Sequence, residues 1–123
     1  MLFVALAILI LVSAVYTLKI ASQQATFKIM GTEARILVKD NNAPAHIKAA
    51  IDRMREIEKS LSRYDEKSEL ARLNRGDKFF KSKDLEQCLK LSEKAKKITS
   101  GAFDVLLSGK FNLDGIGKGY AVE

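Results

Sequence analysis

Between Asn112 and Tyr120 the chain reads Asn-Leu-Asp-Gly-Ile-Gly-Lys-Gly-Tyr, with three glycines alternating with Ile116 and Lys118. Glycine has no Cβ, so its backbone turns tightly and approaches a ligand closely. A lysine between glycines is a positive charge beside exposed N–H groups. That combination suits a phosphate, above all if a helix opens at Gly119 and aims its first amides at the anion. A tight strand-to-helix turn without a ligand uses the same residues, and the spacing alone leaves both readings open. The segment is not a Walker A loop, because Gly119 stands where Ser or Thr must follow the lysine. Its glycine spacing also differs from the dinucleotide fingerprint.

Other reactive side chains are sparse. Cys88 is the one cysteine, so no intramolecular disulfide forms, and it falls on the apolar side of a predicted helix as a small core residue. His46 is the one histidine, which argues against a zinc site. The formal charge of +6 lies wholly beyond the first eighteen residues. Its lysines are dispersed and not interleaved with aromatics. That describes a solvated face with a bias toward anionic ligands, not a nucleic-acid surface.

The elements that must position these residues follow from periodicity. Met1 to Leu18 carries no charged side chain. As a helix it would span roughly 27 Å, about the hydrocarbon thickness of a bilayer. Residues 1–20 are therefore expected to be a transmembrane signal anchor, with a cleaved signal peptide as the alternative. Ala25–Met30 alternates as a strand broken by Gly31, and Glu33–Val38 reads as a second strand. Pro44 suits the start of a helix. There Ile47, Ile51, Met54, Ile57, Glu58 and Leu61 share one face, all apolar except Glu58. A short helical stretch spans Glu69 to Leu73, and Gly76 closes it. Phe79-Phe80 reads as a short extended segment. Ser82 is the expected N-cap of a further helix through Leu85, Cys88, Leu91, Ala95 and Ile98, which Gly101 ends. The order implies an α+β fold with antiparallel strands and packed helices.

Four separated motifs occur in order. They are Met30-Gly31-Thr32; Leu61-Ser62-Arg63-Tyr64-Asp65 with Ser68-Glu69-Leu70 and Leu73-Asn74; Gly101-Ala102-Phe103-Asp104; and the glycine-lysine segment ending Gly119-Tyr120-Ala121. Together they resemble the N-terminal half of the ApbE-type FAD:protein FMN transferases. The resemblance implies an ApbE-like, T-fold-related domain over residues 24–123. It also implies FAD as substrate, Mg2+ as cofactor, and transfer of FMN to a threonine or serine hydroxyl of a flavin-accepting partner in a redox complex, with AMP released. Members that hydrolyse FAD instead supply the alternative, a membrane-anchored FAD-binding or FAD-hydrolysing module. A small basic anchored protein without a nucleotide ligand is a third reading. Members are often exported, so the resemblance implies the extracytoplasmic (periplasmic) side. Lys19 and Lys28, taken alone under the positive-inside rule, point the other way.

By the same resemblance Met30 lines the flavin site and Tyr64 packs on the FAD. Ala102, Phe103 and Asp104 hold the nucleotide, Asp104 by accepting hydrogen bonds from ribose or adenine. Lys118 sits beside the pyrophosphate, and the Gly115 carbonyl helps to ligate Mg2+. Two substitutions depart from the family pattern. Asn112 stands for the usual Asp, keeping hydrogen-bond capacity without the charge. Asp114 stands for the usual Gly, adding a carboxylate near the metal or disturbing the turn. A third departure is the link of only seven residues between Asp104 and Asn112, where many members carry a long insertion. The aspartate and the threonine or similar oxygen ligand that complete the family's Mg2+ site belong to its C-terminal half. The expectation is therefore a fragment, inactive and poorly folded alone.

Overall fold

The computed structural model describes Met1, Val4 and residues 22–123. The anchor expected over residues 1–20 otherwise falls outside them. Among the described residues no helix is long and apolar enough to cross a membrane.

Two antiparallel strands, β1 (Ser22–Ile29) and β2 (Thr32–Lys39), form a hairpin in full register from Ser22↔Lys39 to Ile29↔Thr32. Alternation puts Phe27, Ile29, Ala34 and Ile36 toward the protein and leaves Thr26, Lys28, Glu33 and Arg35 in solvent. The strand stops one residue short of expectation, because Met30 is already in the turn. Met30 has φ 50° and Gly31 φ 70°, the positive pair that marks a type I′ hairpin turn.

The hairpin lies on α1 (Ala43–Leu61), which carries Pro44 in its first turn. The expected apolar stripe is its inner face, with Ile47, Ile57 and Leu61 buried. Helix α2 (Glu69–Arg75) follows, capped by the Ser68 hydroxyl, which accepts from Ala71 N at 3.0 Å. It ends at Gly76, whose φ of 80° is the left-handed closure that Gly makes without strain. Helix α3 (Lys83–Ile98) begins as expected at Ser82, whose hydroxyl accepts from Leu85 N at 3.3 Å. Beyond it come a two-residue hairpin, β3 (Leu106–Leu107) with β4 (Lys110–Phe111), and helix α4 (Asp114–Val122). Phe79-Phe80 forms no strand.

Ile57 and Leu61 of α1, Leu70 of α2, Leu85 and Cys88 of α3, Val105 and Leu113 make one core. Leu70 and Leu85 are fully buried and Leu113 nearly so; each contributes about 1.5–3 kcal/mol by leaving water. Cys88 is buried too, and burial, with the nearby Asp84 charge, pushes its thiol up to about 11. It is the core residue the sequence indicated. Asp84 joins three helices. Arg53 of α1 grips its carboxylate with two nitrogens, at 2.8 and 2.5 Å, and Tyr120 of α4 donates its hydroxyl at 2.8 Å. Arg53 first, then Tyr120, outweigh the opposing effect of burial and hold the Asp84 carboxyl below the usual carboxylate range.

The glycine-lysine segment is not a turn. It is the body of α4, which starts at Asp114, five residues before Gly119, so no helix N-terminus is aimed from Gly119. Packing explains two of the three glycines. A Cβ at Gly117 would stand 3.2 Å from Leu61 Cδ1, and one at Gly115 would stand 3.2 Å from the Phe103 ring. These glycines let α4 approach α1 and the Phe103 segment closely.

Candidate functional site

A cleft of about 240 Å3 opens where the β1–β2 turn, the end of α1 and the start of α4 converge. The turn supplies Met30 and Gly31, and the last turn of α1 supplies Glu58 and Leu61. Ser62, Arg63 and Tyr64 follow directly, and α4 contributes Asp114, Gly117 and Lys118. Three residues expected to meet a ligand, Met30, Tyr64 and Lys118, are thus brought to one cleft from three separate stretches of chain.

Each is held by local chemistry. Met30 keeps its left-handed backbone, a conformation that costs a side-chain-bearing residue about 1–2 kcal/mol. Its N–H donates to Glu58 Oε1 at 2.7 Å, which ties the turn to α1. Glu58 is the cleft residue that the motifs do not include. Its signal was present in the sequence, as the single acidic side chain on an otherwise apolar helix face. Tyr64 is directed by the chain reversal after α1, where the Ser62 hydroxyl accepts from the N–H groups of Tyr64 and Asp65, both at 3.2 Å. Arg63 lies over the Tyr64 ring, its guanidinium carbon 4.4 Å from the centroid, and donates to the Tyr64 hydroxyl. Arg63 Nε also donates to Asp114 Oδ2 at 2.6 Å. Asp114 therefore leaves the chain undistorted. It opens α4, where a carboxylate complements the helix dipole. Lys118, one turn further along, lies on the same side of α4 as Asp114. Among the described residues it forms no ion pair.

The other expected residues lie apart from the cleft lining. Asp104 pairs with Lys96 at 2.7 Å and accepts from Leu106 N at 2.9 Å. Those two partners, Lys96 the stronger, hold its carboxyl below the usual range. Ala102 is exposed, and Phe103 is half-buried with its ring against Gly115. Asn112 accepts from Asp114 N at 3.0 Å and so shapes the entry to α4. Gly115 lies in the first turn of that helix.

Several motif residues are braces. Ser68 caps α2 and donates to the Ser62 carbonyl at 2.6 Å. Glu69 accepts from Ser82 N and from its hydroxyl, joining the starts of α2 and α3. Asn74 closes both backbone groups of Phe111, at 2.7 and 2.9 Å.

The lining combines a thioether, an aromatic face, two cations and two carboxylates. That set suits a phosphorylated aromatic ligand better than a purely apolar one. It does not suit a resident divalent metal. Glu58 and Asp114 are each engaged, and among the described residues no group of three or more His, Cys, Asp or Glu side chains gathers. The Asp114 carboxylate and the Gly115 carbonyl are too few oxygens for Mg2+.

The ApbE family model matches residues 30–109, well over half of the chain. The chain belongs to the ApbE family. The fold is similar to the crystal structure of the ApbE protein from Thermotoga maritima, with a TM-score of 0.74 at 19% identity. That match covers 82% of this chain and 50% of the Thermotoga protein, so the chain spans half the length of that relative. No curated protein matches the chain.

Proposed function

We propose that the cleft binds FAD and serves the transfer of its FMN half to a threonine or serine hydroxyl of a flavin-accepting protein. The observation that carries this is the convergence of Met30, Tyr64 and Lys118 in one cleft of an ApbE-family chain. In this reading the flavin end rests against Met30 and Tyr64, and Lys118 faces the pyrophosphate. The acceptor oxygen forms a bond to the FMN phosphorus, the bond to the AMP phosphate breaks, and the hydroxyl proton passes to solvent. This chain's residues bind and orient the dinucleotide, since positioning and charge neutralisation dominate phosphoryl-type transfer. The Mg2+ requirement rests on the resemblance; when bound, the metal would neutralise charge on the pyrophosphate. Residues 1–20, uncharged up to Lys19, support attachment to a membrane; the extracytoplasmic side rests on the family resemblance alone.

The test is FAD titration of the 123-residue chain by flavin fluorescence, with Mg2+ and an acceptor peptide then added to follow AMP release. Binding without AMP release is the result expected of this chain, whose cleft offers too few oxygens among the described residues to hold Mg2+ by itself. Saturable binding that weakens roughly tenfold on Lys118→Ala is expected, as for loss of a charged hydrogen bond. AMP release without acceptor would favour hydrolysis over transfer. Lack of FAD binding by folded protein would refute the reading.

A further inference from the structure

We propose that Asp114 is a built-in competitor for Arg63, and that an anionic ligand enters the cleft by taking Arg63 from it. The inference rests on the cleft being a phosphate-ligand site, as in the flavin reading. Four charged side chains line the cleft, and their formal charges cancel: Arg63 and Lys118 against Glu58 and Asp114. An incoming phosphate can meet Lys118, which forms no ion pair among the described residues, but it gains a second cation only if Arg63 leaves its carboxylate partner. Glu58 is committed to the Met30 N–H at 2.7 Å. The separable pair is Arg63–Asp114. It is held by a single bond, Nε to Oδ2 at 2.6 Å, with both side chains 43% exposed. The guanidinium meanwhile stacks on the Tyr64 ring at 4.4 Å. A planar fork on an aromatic ring is set to receive phosphate oxygens in place of a carboxylate, with little conformational loss. Asp114 and Lys118 are one helical turn apart. A phosphate seated at Lys118 thus lies next to the carboxylate that holds Arg63, and like-charge repulsion assists the exchange.

The test is isothermal titration of the full chain with inorganic pyrophosphate and, separately, with FAD. The proteins are wild type, Asp114→Asn, Arg63→Gln and the double variant, each checked for folding by circular dichroism. Asp114→Asn is expected to tighten both ligands by roughly two- to fivefold, the competition that a half-exposed ion pair offers. The gain should vanish in the Arg63→Gln background. An equal gain without Arg63 would mean simple removal of negative charge, and would overturn the exchange while leaving FAD binding intact. Weaker binding by Asp114→Asn would also overturn it. A gain for pyrophosphate that depends on Arg63, in a protein that ignores FAD, would support the exchange and defeat the flavin reading. Failure of both ligands to bind any of the folded proteins defeats both.

Discussion

Replacing Gly119 and Gly117 separately by alanine tests whether α4 owes its glycines to packing. Alanine in a helix interior is better than glycine by about 1 kcal/mol. At Gly119 a Cβ meets nothing within 4 Å, so most of that gain should survive. In a domain of this size it corresponds to a melting temperature about 4–8 °C higher; position 119, near the helix end, makes this an upper figure. At Gly117 the new Cβ would stand 3.2 Å from Leu61 Cδ1, inside the optimal carbon–carbon separation of about 3.5–4.0 Å. Leu61 is only 5% exposed and sits in the core, so it yields only by disturbing its neighbours. Overpacking of that kind costs about 1–3 kcal/mol, which cancels or exceeds the helical gain. Thermal unfolding of the 123-residue chain, followed by far-ultraviolet circular dichroism, should rank Gly119→Ala above wild type and Gly117→Ala at or below it. Equal stabilisation by both substitutions would refute close approach as the reason for Gly117.

Two further perturbations probe the scaffold. Asp84 has a lowered folded pKa, so its contribution is complete above the unfolded carboxylate value of about 3.9 and disappears as pH falls through the lower folded value. Urea midpoints measured from pH 6 to pH 2 should decline over that interval, and Asp84→Asn should flatten this part of the curve while costing about 1–3 kcal/mol at neutral pH. Met30→Asn places a residue suited to positive φ in the hairpin turn, so it should preserve or raise the melting temperature and yet weaken FAD. A variant that loses stability and binding together would show that the methionine side chain is structural.

Much of the scaffold was legible in residue spacing. The stripe of α1, the Ser82 cap and the Gly76 closure all form where local chemistry puts them. The glycine-lysine segment was not legible. Glycine permits both a tight turn and close helix packing, and Leu61 and Phe103, which decide between them, are distant in sequence. Two-residue strands such as Leu106–Leu107 have no period to detect. The cleft was half visible: the motifs contained Met30, Tyr64 and Lys118, and also residues whose work here is bracing. Only tertiary placement puts Asp104 outside the cleft lining, beside Lys96, and Arg63 at the cleft with Tyr64.

Helix α4 is intrinsically weak. Three glycines in nine residues cost it roughly 2–3 kcal/mol of helical preference relative to alanine. Its order is borrowed from neighbours: the Tyr120–Asp84 bond, the buried Leu113 and the contact of Gly117 with Leu61. The cleft therefore has one firm wall, the nineteen-residue α1, and one pliant wall. Amide hydrogen exchange should be fast in α4 and slow in α1 of the free protein. A ligand bridging the two walls should slow exchange at Gly117–Ala121 far more than along α1. Recognition at this cleft would then be registered chiefly as the setting of a loosely held helix.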